Sequence, residues 1–155
     1  MDSSSIEVPE TEGCAFCDYL AGRRPYTILE RSSLAAALVT REQRGYSHLL
    51  VAPLRHRATL LDLDDEEANA VMHLVRRAAR AIDLSDHRPG IAIWQNNGVP
   101  AHQTIPHLHF HVAGTLPGGG TTWDEVPERS VAETDHIADR LRDALAAYDD
   151  RSQEE

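Results

Sequence analysis

Histidine occupies every second position in His107-Leu108-His109-Phe110-His111-Val112, with an apolar residue after each. An extended chain sends successive side chains to opposite faces. A strand through this run therefore puts three imidazoles on one face and Leu108, Phe110 and Val112 on the other. A slip of one residue would bury the imidazoles and expose the apolar set, so burial fixes the register. At a rise of about 3.3 Å per residue, neighbouring rings stand roughly 7 Å apart. Three uses fit such a row: attack on and binding of a polyanion, a metal-binding tract, or a merely polar strand face.

The remaining sequence narrows the setting. A chain of 155 residues fits one domain with enough length to bury a core. Hydrophobic residues at 41% and charged residues at 26% are those of an ordinary soluble globule. No apolar run approaches the roughly 18 residues of a membrane span. Residues 1–12 are polar and acidic, unlike a secretory signal, so a cytoplasmic location is expected. The formal charge of -10 argues against a nucleic-acid backbone as the main partner. A small anionic substrate stays compatible, because a local cluster of histidines and backbone amides can oppose the global field.

The two cysteines stand in Cys14-Ala15-Phe16-Cys17. Without a secretory signal a structural disulfide is not expected, and no βαβ pattern lies close by to support a redox pair. The pair reads as half of a zinc site needing two further ligands, or as two small reduced core residues.

Periodicity predicts a disordered lead-in over 1–12, one domain over 13–148 and an acidic fraying tail over 149–155. A short helix or turn is expected over 14–20, a hairpin from strands 27–30 and 34–39, and a buried strand over 48–52 stopped by Pro53. Val71, Leu74, Val75, Ala78 and Ile82 recur at helical spacing and predict a helix over 64–83. Its acidic start and its Arg76, Arg77 and Arg80 suit the helix dipole, and His73 falls on its solvent side. A strand is expected over 91–95, followed by a polar loop from Asn96. Pro106 opens the histidine strand, and Gly114–Gly120 reads as a mobile connection. Ser130 and Glu133 predict a capping box before a second helix over 131–148.

Three segments carry a family resemblance. They are Gly45-Tyr46-Ser47-His48-Leu49-Leu50-Val51-Ala52-Pro53-Leu54-Arg55-His56, the loop from Asn96 to His102, and Gln103-Thr104-Ile105-Pro106 running into HLHFHV and Ala113. Together they resemble the histidine triad superfamily, over about Cys14 to Ala113. The resemblance implies an α+β fold: a five-stranded, mainly antiparallel sheet with one long packed helix, here with an added C-terminal helix. It also implies a nucleotide hydrolase that cleaves at the α-phosphate of a nucleoside phosphoramidate, acyl-adenylate or dinucleoside polyphosphate through a nucleotidyl-histidine intermediate.

Residue by residue, the resemblance makes His109 the nucleophile, which as a neutral imidazole can attack near pH 7. His111 would donate to a phosphate oxygen. His107 completes the triad and His48 supports it from a neighbouring strand. Asn96, Gln103 and Thr104 would bind the phosphate or the leaving atom; the plain alternative for Asn96 and Gln103 is loop hydrogen bonding. His102 has no role in the pattern. In a Hint-like subgroup the ligands matching Cys14, Cys17, His56 and His107 hold a structural zinc. Homodimerisation by sheet extension is expected from the same resemblance. A nucleotidyl transferase or phosphorylase of the superfamily, and a non-enzymatic nucleotide-binding module stabilised by zinc, are the alternatives.

The chain departs from the pattern at Thr40, where the family commonly has an acidic ribose-binding residue. Leu38 and Val39 are candidates for a base pocket or for plain core. Trp123 is expected to cover the site from a partner subunit or to pack beside its own helix.

Overall fold

The computed structural model describes residues 4–154. The chain forms α1 (Ala15–Ala21), β1 (Ile28–Arg31), β2 (Ala35–Val39), β3 (Tyr46–Pro53), α2 (Asp65–Asp86), β4 (Ile91–Trp94), β5 (Phe110–Gly114) and α3 (Val131–Ser152). The five strands make one antiparallel sheet in the order β1-β2-β3-β5-β4. The expected α+β fold is present.

Both faces of this sheet are covered, which explains why β2 and most of β3 read as continuous apolar runs rather than alternating ones. Ala35, Ala37, Val39, Leu49, Val51 and Val112 point into a core shared with Val71, Leu74, Val75 and Ile82 of α2 and Leu141 and Leu145 of α3. Ala36, Leu38, Leu50 and Ala52 point the other way, against Phe16 and Leu20 of α1. Leu38 and Val39 are therefore core, one on each side. Fully burying side chains of the Val, Leu and Ile type stabilises by about 1.5–3 kcal/mol each, enough to hold α2 in place.

Helix ends follow local chemistry. Asp64 caps α2, and a reciprocal box joins it to Glu67. Glu67 is itself fully buried and is paired with Arg57 at 2.9 Å. The helix runs past the expected end to Asp86, where His87 adopts a left-handed conformation. The arginines consequently lie within the helix rather than in its last turn, and Arg77 bridges Glu30 and Asp149, both at 2.7 Å. That ion pair extends α3 beyond the predicted boundary, so Asp149–Ser152 is helix and not a frayed tail. Ser130 caps α3 through the Glu133 amide, while the Glu133 carboxylate lies near Arg129 instead of closing a capping box.

Three other expectations change. The lead-in forms no helix or strand from residue 4, yet the Glu7 carbonyl accepts from the Val99 amide at 2.8 Å, and Ile6 lies where a side chain on Gly98 would point. The glycine-rich connection closes on itself through Leu116–Gly120 and Gly119–Leu116 bonds. The strand expected over 107–112 begins only at Phe110. Pro106 has no amide to donate, the Leu108 amide is taken by the Arg57 carbonyl at 2.7 Å, and the His107 carbonyl is taken by the His109 ring. The backbone groups that would lengthen the ladder are thus committed elsewhere.

Candidate active site

The four predicted metal ligands converge. Cys14 Sγ lies 3.3 Å from His107 Nδ1, and Cys17 Sγ lies 3.5 Å from both His107 Nδ1 and His56 Nδ1. All four ligand atoms fall within 4.8 Å of one another. Such separations suit a tetrahedral ion with thiolate bonds of about 2.3 Å and imidazole bonds of about 2.0 Å. His107 is 0% exposed, and its Nε2 lies 2.9 Å from the Pro53 carbonyl. That oxygen takes the ring proton and leaves Nδ1 as the lone-pair donor, the usual outer-shell arrangement for a ligating histidine. Burial lowers the His107 pKa to about 4, so the ring is neutral.

Hydrogen bonding fixes the other tautomers in the same way. His109 Nδ1 donates to the His107 carbonyl at 2.8 Å, which leaves Nε2 without a proton. Its ring packs on Phe16, one of the two residues between the cysteines, at a centroid distance of 4.8 Å. Burial lowers the His109 pKa, again favouring the neutral ring. Across the sheet, the Arg44 amide donates to His48 Nδ1 at 3.2 Å, so His48 carries its proton on Nε2. That nitrogen lies 3.0 Å from His111 Nδ1. Accepting there, His111 keeps its own proton on Nε2. Burial, with smaller contributions from His109, His48 and Arg44, drives the His111 pKa far below its ordinary range.

His48 reaches this position through a bulge. The β3–β5 register shifts between Tyr46 and His48, and Ser47 takes the left-handed φ of 61°. A positive φ is unusual for serine, and the bulge re-aims the next side chain. Arg140 of α3 donates to Ser47 Oγ at 2.7 Å and also holds Asp86 at 3.0 Å. Gly45 and Gly114 allow the close crossing, because a Cβ on either would collide with backbone of the other strand region.

His109, His111 and Thr104 form the rim between two lobes of one cleft. The smaller lobe, about 250 Å³, is walled by Phe16, Tyr19, Tyr26, Leu50 and Ile105, with Thr40, Glu42 and Arg44 at its polar side. Tyr19 stacks on Tyr26 at 4.0 Å. The larger lobe, about 550 Å³, is bordered by Trp94, Asn96, His102 and Trp123. A nucleophilic nitrogen, an adjacent N–H donor and a two-lobed cleft suit attack on an atom that links two substituents.

The sequence-derived site residues fall as follows. His48, His107, His109 and His111 come together, but not as an evenly spaced row on one strand; the 109 and 111 rings are 4.9 Å apart and nearly edge to face. His56 completes the metal cluster, and Thr104 lies at the cleft. Gln103 lines the larger lobe, but its amide is bonded within the loop rather than turned to the cleft with a spare donor. It is buried, its Oε1 accepts from Gly98 N at 2.7 Å, and its Nε2 donates to the Ala58 and Ile105 carbonyls. Its amide is fully used in bracing the loop that presents Thr104. Asn96 borders the cleft while its Nδ2 donates to Ala101 O at 2.8 Å. Trp123 packs on Trp94 of its own chain rather than beside its helix. Sequence reasoning gave no role to Arg44, Glu42, Tyr19, Tyr26 or Trp94. Only the position of Trp94 at the end of a strand beside Asn96 hinted at its place.

Comparison with known proteins agrees with this architecture. The HIT domain family matches residues 22–117. An adenosine 5'-monophosphoramidase of Schizosaccharomyces pombe is 32% identical over 120 residues, covering 74% of this chain and 85% of that protein. A HIT-like protein of Mycobacterium tuberculosis is 36% identical over 152 residues, 91% of this chain and 99% of that one. A zinc-bound histidine triad family protein from Mycobacterium smegmatis superposes with a TM-score of 0.76 at 28% identity, covering 89% of this chain and 96% of that one. With its central residues matched over this span and its fold shared, the chain belongs to the HIT domain family.

Proposed function

We propose that the protein hydrolyses a nucleotide at its α-phosphorus through a nucleotidyl-His109 intermediate. The observation that carries this reading is the tautomer of His109. Its Nδ1–H is held by the His107 carbonyl at 2.8 Å, and its Nε2 lone pair is left at the junction of the two lobes. The nucleoside fills the smaller aromatic lobe and the leaving group lies in the larger one.

In the first step Nε2 bonds to phosphorus. The leaving atom departs with its electron pair and takes a proton from solvent in the open lobe. His111 Nε2–H and Thr104 stabilise charge on the phosphate oxygens. Water then attacks phosphorus, the P–Nε2 bond returns its pair to His109, and the water's proton passes to solvent. One water is consumed, a nucleoside monophosphate is released, and one difficult displacement becomes two easier ones. The relative named as an adenosine 5'-monophosphoramidase supports a phosphoramidate as substrate class.

Cys14, Cys17, His56 and His107 would hold a structural zinc. The set is closed, with no ligand position left for a substrate, so the ion's contribution would be to fix His107 and α1 rather than to activate water. A homodimer is proposed through β4, an edge strand carrying the exposed Ile93 beside the exposed Met72 of α2. Sedimentation at micromolar concentration should give twice the chain mass.

The size of the larger lobe also admits an acceptor bigger than water, which favours a transferase or phosphorylase as the second reading. Assay of wild type and His109→Asn on adenylylated compounds, with and without inorganic phosphate, tests both. Phosphate-independent release of monophosphate that is lost in the variant is expected. Phosphate-dependent formation of a diphosphate would select the second reading, and undiminished turnover by His109→Asn would remove the nucleophile assignment.

A further inference from the structure

Three non-glycine residues among those described hold a positive φ: Ser47, His87 and His102, the last at 68°. Of these only His102 borders the cleft, on the larger lobe that His109 and His111 also border. A side chain is uncommon in this left-handed region, where glycine fits without a clash. The loop imposes the conformation from both sides. The His102 amide donates to the Val99 carbonyl at 2.9 Å, and the Gln103 amide donates to the Gly98 carbonyl at 3.0 Å. The Ala101 carbonyl accepts from Asn96 Nδ2 at 2.8 Å. Glycine would serve this turn, yet the chain places an exposed imidazole there, outside the histidine triad. Strain kept at the edge of a cleft points to a use for the side chain that bears it.

Release of an amine leaves one task without a residue. When a P–N bond breaks toward nitrogen, that nitrogen must gain a proton. Five ionisable side chains border the larger lobe among the described residues: Glu42, Arg44, His102, His109 and His111. His109 offers a lone pair to phosphorus, and His111 turns its N–H to the phosphate. A guanidinium does not give up its proton in a protein, which sets Arg44 aside, and Glu42 faces that guanidinium at 4.0 Å. His102 is left. Imidazole is the side chain that exchanges protons between about pH 5 and 8, and this one is open to solvent at the rim.

We propose that His102 is the proton donor to the leaving group. This rests on the hydrolase reading and deepens it, because the proton exchange in the open lobe then runs through a named residue. As His109 Nε2 bonds to phosphorus, the P–N pair goes to nitrogen, which takes a proton from the His102 imidazolium and departs as a neutral amine. The ring, now neutral, accepts the proton that water gives up as it attacks phosphorus. His102 ends as it began, and one water is consumed. A basic amine needs that donor, whereas p-nitrophenolate leaves without a proton.

Two substrates test this on the full chain: an adenosine phosphoramidate that releases propylamine, and the p-nitrophenyl ester of AMP. The readout is the ratio of kcat/KM on the amine compound to kcat/KM on the ester, a quantity that reports transition-state stabilisation relative to free enzyme and substrate. His102→Asn keeps a residue that tolerates the left-handed backbone but removes the proton donor. The ratio should fall about a hundredfold, the size of a general-acid contribution. His102→Gly should show the same fall with a Tm at or above that of wild type, because glycine relieves the backbone. Added imidazole should restore amine release by His102→Gly.

An unchanged ratio in both variants would overturn the assignment. Equal losses on the two compounds with a lowered Tm, or no restoration by imidazole, would overturn it too, by reducing His102 to a shaper of the loop. If wild type turns over neither compound, the hydrolase reading fails and the donor role falls with it. If wild type turns over both and the variants keep its ratio, only the donor role falls.

Discussion

The carbonyl oxygen of His107 accepts the Nδ1–H of His109 at 2.8 Å, while the imidazole of the same His107 lies among Cys14, Cys17 and His56. One residue therefore belongs to two assemblies, its ring to the ligand cluster and its backbone to the proposed nucleophile. Anything that loosens the cluster should disturb the tautomer and aim of His109.

Metal loss is thus expected to lower kcat more than it raises KM. Chelator-treated protein and Cys14→Ser should each lose bound zinc, show a lower Tm and turn over at least tenfold more slowly. Metal analysis beside steady-state kinetics checks this. Metal-free protein with an unchanged kcat would separate the cluster from the catalytic geometry.

Acid sensitivity should follow His48. Burial, reinforced by the nearby Arg44 and His109, lowers its pKa from 6.5 to about 4. The unfolded chain takes up this proton near pH 6.5, whereas the folded chain resists until near pH 4. The stabilisation is therefore complete above pH 6.5 and is lost as the pH falls toward 4. A shift of this size corresponds to roughly 3 kcal/mol. Thermal melts of wild type should steepen in their pH dependence over that window, and His48→Gln, which cannot charge, should make it shallower by one group's share, with His107 still contributing over the same range. Parallel curves would assign the acid sensitivity to other groups.

The contrast between His109 and Gln103 shows how far the sequence could be read. The alternation of histidine and apolar residues singled out the triad because it depends on residue type and short-range geometry, whereas the set of Cys14, Cys17, His56 and His107 was legible only through the family resemblance, since Cys14 and His107 lie 93 positions apart. The placement of β1, β2 and α2 beside their apolar patterns was similarly legible, whereas β5 holds only the later part of the strand expected over 107–112. Gln103 was not, because its role depends on three backbone partners at Gly98, Ala58 and Ile105 that only the folded loop assembles. The ends of α2 and α3 were underestimated for the same reason, since the Arg77 bridge to Glu30 and Asp149 links residues 47 and 72 positions apart.

Gln103→Ala should consequently act as a stability variant. It removes the partner of a buried Gly98 amide and of two carbonyls, at a cost of about 1–3 kcal/mol. A lower Tm with a loosened 96–104 loop, detected as faster amide exchange at Gly98, is expected. A normal Tm with a selectively raised KM would instead assign Gln103 to the substrate.

Arg140 supplies a reason for the C-terminal helix to matter at the site. Arg140→Met removes the bonds to Ser47 and to the buried Asp86, so a loss of about 1–3 kcal/mol is expected. Turnover should fall further than stability alone explains, because the bulge that aims His48 loses its brace. Full activity at temperatures well below the variant's Tm would show that the bulge holds by itself.

The most direct measurement is rapid acid-free quenching of wild-type protein during turnover of an adenosine phosphoramidate, followed by intact-mass and peptide analysis. A mass increase equal to one adenylyl group, mapped to His109 and absent from His109→Asn, is the predicted result. Continuing turnover with the adduct on another residue, or with no adduct when release of monophosphate shows a burst, would contradict the covalent His109 pathway.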